Sequence, residues 1–298
     1  MATLFSAYSM DMRNFDLNYV NRNYYTDAFF NNTYATIRGT TYEDELDVYY
    51  DGGNGVLAFC GAGITFNYSG NITSGTVYSI GEYYTGAAWW YIDGISVSAR
   101  ALYNAAGTSS VVDEYNLIVA ALSGNDNIYL SNYSDFAFGV GGNDNIFGYG
   151  GNDTLYGGAG SDVISGGAGR DTLIGGWGKD VITGGSGGDR FIFNSVKDLT
   201  ASASTTDVIA DFVRGADKID LKDLDAFAAT SANDTFVWRG SSGFNNATSG
   251  EVRFQKFDNA GSANDFTMIY LDTDGDSGAE MAIRLTGIYD LTASDFIL

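Results

Sequence analysis

The stretch from Gly139 to Ile192 reads, in successive nines, GVGGNDNIF, GYGGNDTLY, GGAGSDVIS, GGAGRDTLI, GGWGKDVIT and GGSGGDRFI. Asp144, Asp153, Asp162, Asp171, Asp180 and Asp189 recur at one interval of nine. Two residues after each stands an apolar side chain: Ile146, Leu155, Ile164, Leu173, Ile182 and Phe191. Two weaker copies precede them, ALSGNDNIY with Asp126 and LSNYSDFAF with Asp135. A disordered glycine-rich linker has no reason to keep an aliphatic residue two places after every Asp. Each nine instead reads as a turn followed by a short strand whose middle residue points inward, so that two nines make one coil. Coils stacked at the strand spacing of about 4.8 Å place Asp144 by Asp162 by Asp180 on one edge, and Asp153 by Asp171 by Asp189 on the other.

Carboxylates stacked so closely in partly desolvated turns repel one another, and basic residues are too few in the repeats to neutralise them. A cation is required. Carboxylate and carbonyl oxygens are hard ligands suited to calcium, and glycine lets the backbone turn sharply enough to present its carbonyls. The expected donors are therefore the repeat aspartates with the glycines at the first and fourth positions of the nines: Gly139 and Gly142, Gly148 and Gly151, Gly157 and Gly160, Gly166 and Gly169, Gly175 and Gly178. The turns contain neither thiol nor imidazole, which disfavours zinc and copper.

This nonapeptide resembles that of the RTX (repeat-in-toxin) family. The resemblance implies a parallel β-roll over 121–192, in a chain that reads as all-β: a β-rich N-terminal module over 1–120 precedes the roll and a β cap over 193–298 follows it.

The 298 residues carry a net charge of -22, a pI near 4.1 and only 15 Lys and Arg. Nucleic acid is therefore not an expected partner. There is no His, which removes Ser-His-Asp hydrolysis and the HExxH zinc site together. No catalytic residue is assigned. Cys60 is the only cysteine, so no internal disulfide forms; it sits in the apolar run Val56–Cys60 and reads as a buried small side chain. The N-terminus lacks the basic and apolar regions of a Sec signal, and no run is long and apolar enough to cross a membrane. GNGVLA at Gly53–Ala58 and GGSGG at Gly184–Gly188 match nucleotide-binding and hydrolase patterns by letter only.

Before the repeats, runs such as Asp47–Tyr50, Gly63–Tyr68, Gly75–Ile80 and Ala88–Ile92 alternate with turn residues and read as strands. Residues 95–106 and 115–122 read as short helices. The tyrosines and Trp89-Trp90 of this module fill a small β core or, where they point outward, offer rings to a saccharide.

After Asn194 the period breaks. Asp207–Phe212, Gly215–Leu221, Gly250–Phe254, Tyr270–Asp276, Met281–Gly287 and the terminal Leu291–Leu298 resemble, in order and spacing, the C-terminal domain of the serralysin metalloproteases. That resemblance implies recognition by a type I secretion exporter, secretion to the outside or cell surface, and a further calcium site closed by Asp198 and Asp207. It does not imply proteolysis, since the chain has neither histidines nor room for a zinc protease domain. Asp272, Asp274 and Asp276 match the start of an EF-hand loop, but its twelfth position would be Ile283, so an acidic hairpin turn is the expected structure.

The expectation is a secreted calcium-binding protein that folds on meeting calcium after export. It would serve as an adhesin, matrix or surface-layer-like component whose N-terminal module contacts a glycan, a surface or another copy. The alternative is a polysaccharide-acting epimerase, lyase or glycosidase using Asp44, Glu45, Asp47 and Tyr42 near Arg38, or Asp93 near Trp90.

Overall fold

The structure, a computed structural model, describes residues 122–195, 205–226, 234–245, 250–258, 264–274 and 278–298 in full. Residues 28–31, 35–37, 40–42, 44–50, 55–66, 72–84 and 87–98 are described as backbone strands. Among these residues the fold is all-β, with a single turn of 3-10 helix at Ala293–Asp295.

Alternating short strands and glycine turns build a parallel roll. One of its sheets takes β8 (Asn127–Tyr129), β10 (Asn145–Phe147), β12 (Val163–Gly169) and β14 (Val181–Gly187). The other takes β9 (Phe136–Phe138), β11 (Thr154–Ala159), β13 (Thr172–Trp177) and β15 (Arg190–Ile192). Every neighbouring pair is parallel, and registers such as Ile146 on Ile164 and Leu155 on Leu173 give the offset expected of two nines per coil. The inward residues form two columns, Ile128, Ile146, Ile164 and Ile182 against Ala137, Leu155, Leu173 and Phe191, all fully buried. Burying each such Ile or Leu side chain contributes roughly 1.5–3 kcal/mol, before the entropy of ordering the turns.

Beyond the repeats both columns continue. β16 (Asp207–Ile209) pairs with β14, and β17 (Lys218–Asp220) with β15, so Ile209 and Ile219 become the next inward residues. The remaining strands are β18 (Val237–Gly240), β19 (Glu251–Phe257), β20 (Phe266–Asp272), β21 (Met281–Thr286) and β22 (Phe296–Ile297). β21 joins β16 in parallel, β20 and β19 follow antiparallel, and β22 pairs with β17. The cap thus covers the strand edges that the last coil would otherwise leave open.

At the other end stand β1 (Ala28–Asn31), β2 (Ala35–Ile37), β3 (Thr40–Tyr42), β4 (Asp44–Tyr50), β5 (Gly55–Phe66), β6 (Ile72–Tyr84) and β7 (Ala87–Ser98). β4 to β7 form an antiparallel meander, and β7 pairs with β8 through Tyr91–Tyr129, Ile92–Ile128 and Asp93–Asn127. One 14-stranded sheet therefore runs from β1 through the roll to β18. The helix expected from residue 95 is corrected by β7, which continues to Ser98 with Val97 opposite Val77. There the β-branched side chains and an available partner strand outweigh a weak helical period. Residues 99–106 and 115–121 lie outside the described residues.

The turns require glycine at two places. The second residue of each nine adopts positive φ, as at Gly158 (111°), Gly167 (106°), Gly176 (100°) and Gly185 (96°). In the first two nines Val140 (75°) and Tyr149 (68°) occupy this position, a strained conformation for a residue with a Cβ. The fourth residue is glycine throughout. A Cβ on Gly160 or Gly169 would lie 1.7 or 1.6 Å from the carbonyl oxygen of Gly142 or Gly151 in the coil below, so backbone packs directly on backbone.

Candidate metal centre

Each repeat aspartate occupies the last turn position before its strand, and stacking aligns these positions into two ladders. Along one, the backbone N–H of Asp126 donates to Asp144 Oδ1 and that of Asp144 to Asp162 Oδ1; Asp162 donates to Asp180 and Asp180 to Asp207, all at 2.8 Å. Along the other, Asp135 donates to Asp153 at 2.8 Å, and Asp153 to Asp171, Asp171 to Asp189 and Asp189 to Asp217 at 2.9 Å. The geometry brings together all eight aspartates from Asp126 to Asp189, and Asp207 with them. Asp198 lies outside the described residues.

One carboxylate oxygen is thus used by the fold. The other, Oδ2 of Asp144, Asp153, Asp162, Asp171 and Asp189, is buried without a hydrogen-bond donor. Leaving a buried charged oxygen so costs several kcal/mol, which normally forces either protonation or pairing. Burial accordingly pushes the pKa of Asp153 up to about 8, and those of Asp144, Asp162 and Asp171 to about 6, against the lowering effect of the N–H each accepts. The neighbouring carboxylates raise Asp144, Asp153 and Asp171 further.

The first glycine of each nine forms the wall opposite. A Cβ on Gly139 would lie 2.3 Å from Asp144 Oδ2 and 2.5 Å from the Gly157 carbonyl oxygen. On Gly148 it would meet Asp153 Oδ2 and Gly166 O, both at 2.4 Å, and on Gly157, Asp162 Oδ2 at 2.3 Å and Gly175 O at 2.5 Å. Gly166 repeats the arrangement with Asp171 Oδ2 at 2.3 Å and Gly184 O at 2.8 Å, while Gly175 meets Asp180 Oδ2 at 2.3 Å. The turns of Asp144, Asp153, Asp162 and Asp171 therefore each hold a small cradle in which an unsatisfied carboxylate oxygen converges with a carbonyl from the coil above. Oxygen ligands at about 2.3–2.6 Å suit calcium, and an all-oxygen donor set without nitrogen or sulfur favours a hard cation. The residues fit that ion.

Both ends of the second ladder are closed by protons instead. The Ser131 backbone N–H and hydroxyl both donate to Asp135 Oδ2 at 2.8 Å, and the Val213 N–H donates to Asp217 Oδ2 at 2.7 Å. Asp217 and Asp211, whose oxygens accept the Gly184 and Gly185 N–H groups at 2.8 Å, escaped the sequence reading. A signal was present: Asp217-Lys218-Ile219 and Asp207-Val208-Ile209 both keep the Asp-x-aliphatic triplet of the repeats. A further acidic group, Asp272, Asp274 and Glu280, brings ligand atoms within 4.8 Å at the turn between β20 and β21, while Asp276 lies outside the described residues.

In the N-terminal strands the register sets Glu45, Cys60, Ser79 and Asp93 in one row across β4, β5, β6 and β7. Three strand spacings, about 14 Å, separate the backbones of Glu45 and Asp93. Asp44 and Asp47 share β4 with Glu45, Tyr42 ends β3, and Arg38 lies outside the described residues.

Residues 113–298 match the family model described as Peptidase M10 serralysin C terminal, well over half of the chain. Among solved structures, the solution structure of the AlgE6R3 subunit of the Azotobacter vinelandii mannuronan C5-epimerase is 24% identical, covering 58% of this chain and 77% of that one with a TM-score of 0.32. The AlgE6R2 subunit of the same enzyme is 24% identical, covering 55% and 79% with a TM-score of 0.31. A search of curated proteins returns no match.

Proposed function

Since the chain belongs to the serralysin C-terminal family of the M10 peptidases, we propose that it is a secreted, calcium-folded protein of non-enzymatic role, an adhesin or a matrix or surface-layer-like component. The observation that carries this reading is the set of buried Oδ2 atoms on Asp144, Asp153, Asp162, Asp171 and Asp189, each aimed at the first glycine of its nine. Asp144, Asp153, Asp162, Asp171, Asp180 and Asp189 would hold the ions, with carbonyls of the first glycines; Asp126 and Asp207 flank one ladder. Calcium would supply positive charge to these buried oxygens.

The rest is done by the chain. In its absence the carboxylates repel and the turns open into an expanded polyanion, a form suited to threading through a type I exporter, the partner proposed for the C-terminal segment. Outside, extracellular calcium modules bind at about 0.1–1 mM, where turns close, the aliphatic columns are buried, and binding free energy becomes folding free energy. The N-terminal meander, joined to the roll through β7 and β8, is proposed to carry the contact with a glycan, a surface or another copy.

Circular dichroism of the purified chain during calcium titration tests the reading. A cooperative gain of β signal near 0.1–1 mM calcium, reversed by chelator and absent with magnesium, is expected. A spectrum indifferent to chelator would overturn it.

A further inference from the structure

Three cations on one face of the large sheet have no carboxylate partner among the described residues. The ion pairs among the described residues are Arg190–Asp220, Arg214–Asp295, Arg239–Glu251 and Lys256–Asp290, and none includes Lys179, Arg253 or Arg284. The two arginines are also held in place. The Arg284 guanidinium lies 4.5 Å from the Phe266 ring centroid, and that of Arg253 lies 4.9 and 4.6 Å from those of Phe244 and Tyr270. Ring contact fixes a guanidinium plane while leaving its in-plane N–H donors available, and Nε of both arginines is buried without a partner.

Register shows that the groups share a face. Arg253 stands opposite Tyr270, Met268 opposite Arg284, Arg284 opposite Val208, and Val208 opposite Val181. The other face of the same strands, with Val252, Ile269 and Ile283, is the core. Lys179, Thr206, Val208, Phe266, Met268 and Arg284 line a shallow pocket on the outer face. Beside it Val181 and Val163 are exposed, a short apolar strip running back along the roll.

We propose that this outer face, from β14 across β16, β21 and β20 to β19, binds an acidic polysaccharide. Carboxylate or sulfate groups take the forks of Arg284 and Arg253 and the ammonium of Lys179, and pyranose CH faces lie on Val181, Val208 and Met268. Arg284 and Arg253 stand two strands apart, about 10 Å, so the ligand is an extended polymer with spaced charges rather than a single small anion. Nucleic acid carries one charge per about 3.4 Å of each strand, far denser than three cations can match against a net charge of -22. The surface borders one metal ladder, since Lys179 precedes Asp180, and needs the folded sheet.

The test is calorimetric titration of the full chain in saturating calcium with a short galacturonate oligomer, a short heparin oligomer, neutral dextran and an oligothymidylate. Binding of one or both acidic oligomers, but neither dextran nor DNA, is expected; which of the two binds separates carboxylate from sulfate recognition. The triple variant Lys179→Gln, Arg253→Gln, Arg284→Gln should weaken binding at least about tenfold, each charge-assisted contact being individually strong. Arg170→Gln, an exposed cation on a repeat turn, should leave it unchanged. Circular dichroism against calcium for each variant shows whether the sheet has folded, so failure of this surface is distinguishable from failure of the calcium reading. Undiminished binding by a folded triple variant, no binding of either acidic oligomer, or preference for DNA or dextran would each overturn the proposal.

Discussion

Buried carboxylates occur in both halves of the described structure and are treated oppositely. In the roll, Asp144, Asp153, Asp162, Asp171 and Asp189 each present one oxygen that no donor reaches. In the cap, the oxygens of Asp217 accept the N–H groups of Asp189 and Val213, Asp220 holds Arg190, and Asp295 accepts both the N–H and the hydroxyl of Thr292. At Asp217, Asp220 and Asp295 the cap satisfies its acids from within the chain, whereas at these five aspartates the roll leaves that work to an ion. Calcium dependence should therefore be confined to the repeats, although the two regions share continuous sheets.

Chelation is the most severe way to break that contrast. Hydrogen exchange after calcium removal should show protection lost throughout 139–192 and retained in β19, β20 and β21, whose antiparallel ladder and core residues Val252, Ile269 and Ile283 owe nothing to the cradles. Equal loss in both regions at one calcium concentration would show that the cap has no stability of its own. Gly169→Ala comes next. Its Cβ would sit 1.6 Å from the Gly151 carbonyl oxygen at a φ of 142°, so a loss of about 4 kcal/mol or more is expected in calcium, read from the urea midpoint.

A pair of equivalent substitutions sharpens the same contrast. Asp171→Asn keeps an oxygen to accept the Asp153 N–H but removes the charge aimed at the cradle, and should raise the calcium midpoint of folding at least about tenfold. Asp217→Asn sets an amide group against the Val213 N–H, and should cost about 1–3 kcal/mol with little change in that midpoint. Matching calcium shifts in the two variants would erase the distinction.

Protons compete for the same oxygens. The folded pKa values, about 6 for Asp144, Asp162 and Asp171 and about 8 for Asp153, lie above the ordinary 3.8. Relative to the unfolded chain, the ion-free roll is therefore favoured below pH 3.8 and loses that advantage as pH rises through about 6 to 8. Calcium must displace these protons, so its midpoint should fall as pH rises through the same window, by about tenfold per pH unit for each proton released. A midpoint flat between pH 5 and 8, measured by titration at each pH, would contradict the burial on which the shifts rest.

How much of this was legible follows the period. Wherever nine residues repeat, turn, strand, inward side chain and ladder partner are all fixed by position, and the register of Ile146 on Ile164 follows directly. Past Asn194 the interval between ladder partners becomes 27 for Asp180 to Asp207 and 28 for Asp189 to Asp217, so counting fails although the stacking continues. What survives there is the local triplet of acid, spacer and aliphatic, because an N–H acceptor and an inward side chain are still needed at each rung. The face that gathers Lys179, Arg253 and Arg284 was illegible for another reason: it is assembled by pairing among β14, β16, β21, β20 and β19, and no local pattern marks it.

The smallest effect concerns where the roll begins. The first nine, at Gly139, places Val140 at a φ of 75°, where the later nines from Gly157 onward use glycine. A left-handed conformation costs a β-branched residue about 1–2 kcal/mol, and glycine returns part of this through its greater freedom in the unfolded chain. Val140→Gly should therefore stabilise the calcium-loaded protein by about 1 kcal/mol, seen as a higher urea midpoint at unchanged slope. Gly158→Val, which imposes the same strain one coil further in, should destabilise by at least as much, since its Cβ would also meet the Val140 carbonyl oxygen at 2.4 Å. If Val140→Gly lowers the midpoint instead, the valine side chain, which packs against the buried core, contributes more than its backbone loses, and the first coil is held by that contact rather than by its turn.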